Sequence, residues 1–402
     1  MKNRQIVFVA NDVGGIGGME KHLTELITRV KNDFSITVMA STMKLQDSDG
    51  VRFIRIPTPR KPFPVMIVLF SICASIRLLF MKQNLVHTTG AIVFNRVDVS
   101  TIHFCHRGYV QTGIGDRDVS KSIFHRINSA ISIKMKLWLE NFCYRPTRTR
   151  RLVAVSSRIK QELSAAYKCP ESTVTVIPNG VDVTKFHPVQ HLERRKLRGI
   201  HGLPEDGTFL LFMGGDWGRK GLQFALQAFN EIAVLHPNVY MVVVGSGNAD
   251  AFLHFVSEEV RHRVIFAGRQ ANPEHWYQMS DVFLFPSSYE ACSLAVLEAA
   301  ASGLAMVVTD VGGANDVVED GVSGYLVRQD VEHIVSRLDM LLRNPEHLNQ
   351  MRTAVRERVE RMTWDAMYHR FRALYEEILL ESTQSKKRTE TVKAGVRNVE
   401  RA

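Results

Sequence analysis

Phe209-Leu-Leu-Phe-Met213 runs directly into Gly214-Gly-Asp-Trp-Gly-Arg-Lys-Gly221, after which Leu222, Ala225, Leu226 and Phe229 recur at helical spacing. The unbroken apolar run reads as a strand buried on both faces, the glycines as a tight turn, and the periodic residues as a helix laid over the sheet. The first half of the chain opens in the same order. There Ile6-Val-Phe-Val-Ala10 leads to Gly14-Gly-Ile-Gly-Gly18, and Met19, His22, Leu23, Leu26, Ile27 and Val30 follow at helical spacing. Between and after these units, helical patterns alternate with short Val/Ile-rich runs at Thr37 to Ala40, Leu85 to His87, Val99 to His103, Leu152 to Val155, Val174 to Ile177, Val239 to Val244, Val264 to Ala267, Val282 to Phe285 and Met306 to Thr309. Strands separated by helices form parallel sheets covered on both sides. The fold class is therefore α/β, with two doubly wound, Rossmann-like domains facing a cleft. The boundary falls in His187 to Asp206, a polar, basic stretch with Pro188 and Pro204 and little apolar content.

Length and composition agree. A chain of 402 residues exceeds what one hydrophobic core fills. With 45% hydrophobic and 23% charged residues it is neither disordered, collagen-like nor a coiled coil. Five scattered cysteines without a CxxC pair fit neither a disulfide framework nor a structural zinc site, and a reducing cytoplasm suits them. The apolar run Ile6 to Ala10 is too short for a signal-peptide core and reads as the first strand. Val65 to Ile76 is uncharged but shorter than the roughly 18–20 residues that cross a bilayer, so it reads as a buried or interfacial helix.

The net charge is +10. Part of it sits in the tail from Ser385, where Lys386, Lys387, Arg388, Lys393, Arg397 and Arg401 face only Glu390 and Glu400, a segment without apolar periodicity that is expected to lack structure. Arg145, Arg148, Arg150 and Arg151 form a second cluster, suited to an acidic membrane surface or simply to solvent. No zinc-finger spacing or aromatic-rich RNA-binding strand accompanies it, so no nucleic-acid partner is expected.

Glycines at a strand-to-helix turn let backbone amides approach an anion, and the helix start adds partial positive charge. The first loop lacks the GxGxxG spacing of dinucleotide sites, and no acidic residue follows the second strand to hold a ribose. The second loop adds Arg219 and Lys220, two cations where a diphosphate would meet a helix. The strongest local signal is Asp281-Val-Phe-Leu-Phe-Pro-Ser-Ser-Tyr-Glu290-Ala-Cys-Ser-Leu-Ala-Val-Leu-Glu298. A buried strand ends at Pro286, a polar loop carries Glu290, and a helix begins near Ser293, with the amides of Leu294 and Ala295 placed for an anion. Glu298, inside that helix, can accept hydrogen bonds from a diol; a dipole-pairing or solvated glutamate is the plainer alternative.

Together the Glu290/Glu298 spacing, Gly303, Asp310-Val-Gly-Gly313, Arg219-Lys220-Gly221, Val176-Ile-Pro-Asn-Gly-Val-Asp182 and Gly17-Gly-Met-Glu-Lys-His22 resemble the retaining glycosyltransferases of family 4. The resemblance runs from about Ile6 to Tyr375 and implies the two-domain GT-B fold. It implies an acceptor-binding domain over 1–186, a linker over 187–206, a nucleotide-sugar-binding domain over 207–362, a helix crossing back over 363–382 and a basic tail over 383–402. By similarity, Arg219 and Lys220 neutralise the diphosphate, Glu298 holds the ribose and Glu290 contacts donor-sugar hydroxyls. Gly17 and Gly18 close over the phosphates, and Gly215, Gly268, Arg269, Ser293, Leu294 and Ala295 complete the donor side. The family's arginine after the strand-ending glycine is replaced here by Gly215-Asp216, which leaves the division of labour between Arg219 and Lys220 open. His103, at a strand end, matches the family's active-site histidine better than His106.

The resemblance implies transfer of a sugar, hexosyl or related, from a nucleoside diphosphate to a hydroxyl of a glycan or lipid-linked acceptor, with retention, in polysaccharide or lipopolysaccharide synthesis. The site of action would be the cytoplasm, at the inner face of the membrane if the apolar helix and the arginines dock there. No cofactor or metal is expected. Asp47-Ser-Asp49 and Asp116-Arg-Asp118 read as solvated turns, and His103, Cys105 and His106 cannot converge on zinc from one strand. Cys292 reads as packing rather than a nucleophile. A nucleotide-sugar epimerase and a non-catalytic nucleotide-sugar binding protein are the alternatives; a dehydrogenase is the weakest.

Overall fold

The computed structural model describes residues 4–15, 17–59, 61–111, 113, 123–167 and 169–399. Asp116 and Asp118 lie outside them. The first sheet has seven parallel strands in the spatial order Val51–Arg55, Ser35–Ala40, Gln5–Val9, Leu85–Thr89, Val97–Ile102, Thr149–Ala154, Val174–Val176. The second has six, in the order Val264–Gly268, Val239–Val244, Thr208–Met213, Val282–Phe285, Ala305–Thr309, Gly324–Val327. Each sheet grows from its first strand to one side and then resumes on the other. Gln5–Val9 and Thr208–Met213 are thus the strands at which strand order reverses, and open parallel sheets bind ligands beside the carboxyl end of such a strand. Both glycine loops leave from those ends.

Alternation along Gln5–Val9 shows how the first sheet is covered. Ile6 and Phe8 join one core with Leu23, Leu26 and Ile27 of helix Gly18–Val30, whereas Val7 and Val9 join another with Phe70, Ala74 and Leu78 of helix Phe63–Leu79. Two edge strands of these sheets were not expected. Val51–Arg55 is an edge strand whose Arg52 and Arg55 reach solvent, and Gly324–Val327 is a four-residue edge.

Two segments depart from expectation. The stretch 187–206 contains helix His191–Ile200, whose Arg194 and Arg198 are buried because Asp281 neutralises both. Helix Trp364–Val399 runs past 382 through the basic segment expected to lack structure. Its first turns are fixed by packing of Trp364, Met367, Phe371, Tyr375 and Ile378 into the first sheet's core, and adding residues to an existing helix is far easier than nucleating one. Three of the four clustered arginines are engaged: Arg150 pairs with Glu381, Arg151 with Glu377 at 3.0 Å, and Arg148 donates to the Phe94 carbonyl at 3.2 Å, while Arg145 is exposed. Two of these arginines thus fasten the last helix to the first domain. No helix among the described residues is long and apolar enough to cross a bilayer.

Candidate active site

The second glycine loop turns from Thr208–Met213 into helix Leu222–Leu235 through Gly221, which has φ +77. A Cβ there would sit 2.0 Å from the Pro286 carbonyl oxygen, so only glycine lets this loop press against the end of strand Val282–Phe285. Contact continues in register: Ser288 donates its backbone N–H (2.9 Å) and its hydroxyl (2.8 Å) to the Arg219 carbonyl. The Arg219 guanidinium in turn bonds the Tyr289 carbonyl, the Glu290 carboxylate at 2.9 Å and Asp216 at 2.8 Å. Asp216 has φ +52, uncommon for a residue with a side chain, and its carboxylate orients the guanidinium. Lys220 Nζ reaches the same Glu290 Oε1 at 2.9 Å and lies 4.6 Å from the Phe285 ring. Gly214, at φ +129, leaves room for the lysine's aliphatic stem. Both cations therefore converge on one carboxylate, and each shares Glu290 while only Arg219 is also tied to Asp216.

Across the cleft, Gly18, Met19, His103, Phe104 and Asn179 close a cavity of about 240 Å³ with Arg219, Tyr289, Glu290, Ala291 and Cys292. Tyr289 ties the two domains by donating its hydroxyl to Glu162 Oε2 at 2.8 Å on helix Ser157–Tyr167. A second tie runs through Asn179, which accepts from His22 Nδ1 at 2.8 Å and donates to the Cys292 carbonyl at 3.1 Å. The edge of one ring meets the face of the other between His22 and His103, with centroids 4.5 Å apart. His103 Nε2 is buried and has no hydrogen-bond partner. Burial lowers His22 to about 4 and holds His103 well below the usual histidine value, so both are neutral at physiological pH.

His103 and Phe104 also line a larger cavity of about 460 Å³ within the first domain, with Asp12, Glu20, Thr89, Lys136 and Glu140 on its walls. His103 thus stands between the two cavities. His106 lines only the larger one, where Glu140 holds its Nδ1 at 2.7 Å. Of the two histidines, His103 is the one that lines the inter-domain cavity.

The remaining candidates are dispersed. Ser293 precedes helix Leu294–Ala301 and makes no side-chain cap; its backbone N–H donates to Gly312 at 3.2 Å. Gly18 of the first domain lies over Leu294, close enough that an added Cβ would be 3.8 Å from its side chain. Gly17 is the residue before helix Gly18–Val30. Glu298 is half-buried and accepts the Tyr277 hydroxyl at 2.9 Å; burial, against that hydrogen bond, raises its carboxyl to about 7. Gly215 lies near Ser246, outside the smaller cavity's lining. Gly268 and the exposed Arg269 end an edge strand and do not line it either. Cys292 is buried, its thiol pushed by desolvation up to about 12, which keeps it protonated and poorly nucleophilic. Asp47 pairs with Lys31 at the surface. Sequence reasoning did not assign Tyr289 or Asn179 a task. Both lie inside quoted motifs, but their partners are more than a hundred residues away.

Comparison with known proteins bears on the whole arrangement. The family described as Glycosyl transferases group 1 matches residues 193–358, and Glycosyltransferase Family 4 matches residues 16–185. A UDP-Gal:alpha-D-GlcNAc-diphosphoundecaprenol alpha-1,3-galactosyltransferase of Escherichia coli is 28% identical over 207 residues, 50% of this chain and 53% of that protein. A lipopolysaccharide 1,2-N-acetylglucosaminetransferase of Salmonella typhimurium is 28% identical over 229 residues, 52% and 59% of the two chains. The matches thus span a little over half the length of these relatives. In fold, the chain is similar to WaaG, a glycosyltransferase involved in lipopolysaccharide biosynthesis, with a TM-score of 0.75 at 18% identity over 93% of this chain and 98% of that one.

Proposed function

This chain belongs to the group 1 glycosyltransferases, of the GT-B fold, and from that premise we propose that it transfers a sugar from a nucleoside diphosphate to a hydroxyl of a glycan or glycolipid, with retention of anomeric configuration. The observation that carries the reading is the convergence of Arg219 and Lys220 on Glu290, which with Arg219 lines an inter-domain cavity whose opposite wall holds His103. In such a reaction the bond from the anomeric carbon to the phosphate oxygen breaks, and its electron pair stays on the diphosphate. The acceptor oxygen then bonds the same face of the carbon, and its proton passes to the departing phosphate oxygen. Negative charge grows where the guanidinium and ammonium already stand, and groups preorganised at developing charge lower the barrier. On this reading His103, which lines both cavities, contacts the sugar between them. Relatives among lipopolysaccharide and polysaccharide enzymes support a cell-surface glycan as product. Among the described residues no His/Cys/Asp/Glu group has metal-holding geometry, and the proposed chemistry routes no step through a metal.

A thermal-shift panel of UDP-, GDP- and ADP-sugars tests this. Binding to the folded state alone stabilises it by about 2.7 kcal/mol at a hundredfold excess over Kd, so one base series is expected to raise Tm in a concentration-dependent way. A flat response to every donor would count against the proposal.

Glu298 gives it a pH signature. A carboxylate accepts two hydroxyl hydrogen bonds from a ribose, whereas a carboxylic acid must donate one. With its carboxyl raised to about 7, donor affinity is expected to increase as pH rises through about 7 and to level off only above it. The protein's own stability moves the other way: the contribution of the raised carboxyl is full below the ordinary glutamate value and is lost as pH climbs through about 7. Titration calorimetry from about pH 5.5 to 8.5 reads the first effect, and Glu298→Gln is expected to remove the slope.

A further inference from the structure

The cavity of about 460 Å³ in the first domain has a charge pattern of its own. Asp12, Glu20, Glu140 and Lys136 line it, no arginine does, and it shares Met19, His103 and Phe104 with the smaller inter-domain cavity. Two of these charges answer each other. Glu140 is 2% exposed and already spends both oxygens: Oε1 accepts the His106 backbone N–H at 3.1 Å and meets its Nδ1 at 2.7 Å, while Oε2 accepts the Tyr167 hydroxyl. Lys136 stands 4.9 Å over the Phe63 ring, and burial lowers its ammonium below the usual lysine value against the attraction of Glu140. A cation that balances a buried carboxylate has little left for a second anion.

Asp12 and Glu20 are the surplus. Both follow strand Gln5–Val9, one on the short strand Asp12–Val13 and the other in the first turn of helix Gly18–Val30. Asp12 accepts the Thr42 hydroxyl; a Cβ on Gly17 would lie 2.0 Å from Glu20 Oε2, so the glycine gives that carboxylate its room. Among the described residues neither forms an ion pair. A phosphate entering here would meet unneutralised carboxylates at short range, whereas sugar hydroxyls donate to a carboxylate and an ammonium both donates and neutralises. Repelling the wrong charge confers specificity as surely as attracting the right one.

We propose that this cavity selects the acceptor by charge: Asp12 and Glu20 take a sugar residue that bears hydroxyls and a free amine, and turn away one that bears a phosphate or a carboxylate. The inference rests on the glycosyl-transfer reading for the word acceptor; the charge preference of the cavity can be measured without it.

Saturation-transfer NMR with glucosamine, glucose and glucose 6-phosphate reads that preference at neutral pH, with inorganic pyrophosphate present throughout to occupy Arg219 and Lys220. Glucosamine is expected to bind about fivefold tighter than glucose, and glucose 6-phosphate more weakly than either. Raising the salt from about 0.05 to about 0.5 M is expected to shrink the first ratio and leave glucose unchanged, since only the charged contact is screened. Glu20→Gln and Asp12→Asn keep shape and remove charge. Each is expected to bring glucosamine toward glucose, and the double variant to make the two equal. Equal affinities in the wild-type protein, a preference for the phosphate, no binding of any of the three, or a glucosamine preference that persists in the double variant overturns the proposal. The salt series needs the wild-type protein alone, so a variant that fails to fold leaves that test standing; a ratio indifferent to salt also overturns the proposal. The donor panel separates the two levels. Sugars ranked by charge without a response to any donor sink the transferase reading while the charge preference stands, and a donor response without that ranking overturns the charge preference alone.

Discussion

Lys220→Ala is expected to lower kcat about a hundredfold or more, the usual loss when one preorganised charge-stabilising group is removed from a transition state. The lysine is well placed for this. Its side chain is 13% exposed, is guided between Gly214 and the Phe285 ring, and ends 2.9 Å from Glu290. Glu290 accepts from both cations, so on the proposed reading a diphosphate would exchange with a carboxylate rather than desolvate bare charges. Part of the attraction to the ground state is thereby cancelled. What remains is the extra charge that appears as the sugar departs, so the loss should fall on kcat more than on donor affinity. Single-turnover rates with the donor at saturation, beside donor Kd, check the division. A Lys220→Ala enzyme that turns over at the wild-type rate removes the lysine from the mechanism.

Asp281→Ala is expected to destabilise the second domain by about 3–5 kcal/mol, since it strips the counter-charge from buried cations. Asp281 bonds Arg194 at 2.6 Å, Arg198 at 2.9 Å and the Phe209 backbone N–H at 2.9 Å, with Arg352 at 3.5 Å. The two nearer arginines come from helix His191–Ile200, so the carboxylate pins that connecting helix to the strand that begins the second sheet. Burial already lowers the Arg352 value to about 10, which shows how little solvent is available to absorb a surplus charge there. Urea unfolding followed by circular dichroism reads the loss; a change below about 1 kcal/mol would mean that the arginines find other partners.

Much of this architecture is visible in the residues because buried parallel strands have to be apolar from end to end. Thr208–Met213, Val239–Val244 and Val282–Phe285 could hardly be anything else, and the glycine loops mark where each sheet reverses. Val51–Arg55 escaped because an edge strand can keep its arginines in water. Helix His191–Ile200 escaped because its buried face is made of arginines whose counter-ion lies 87 and 83 residues further along. Arg219, Lys220 and Glu290, singled out in the loops after two strands, are brought into mutual contact, and His103, singled out by resemblance, lines the same cavity as Arg219 and Glu290. The ties that align them, Tyr289 to Glu162 and His22 through Asn179 to Cys292, span 127, 157 and 113 residues and exist only once two sheets face each other. No local pattern encodes such a distance.

Helix Trp364–Val399 carries a consequence for how the chain is made. Trp364, Phe371, Tyr375 and Ile378 complete the core around Ile6, Phe8 and Leu26, and the Tyr375 hydroxyl meets His87 at 2.6 Å. The strands of the first domain are therefore missing one wall until the helix beginning at Trp364 has been synthesised, whereas the last strand of the second domain ends at Val327. Birth order and folding order are inverted: the earlier-born half must wait, apolar face uncovered, for a helix made only after the second domain.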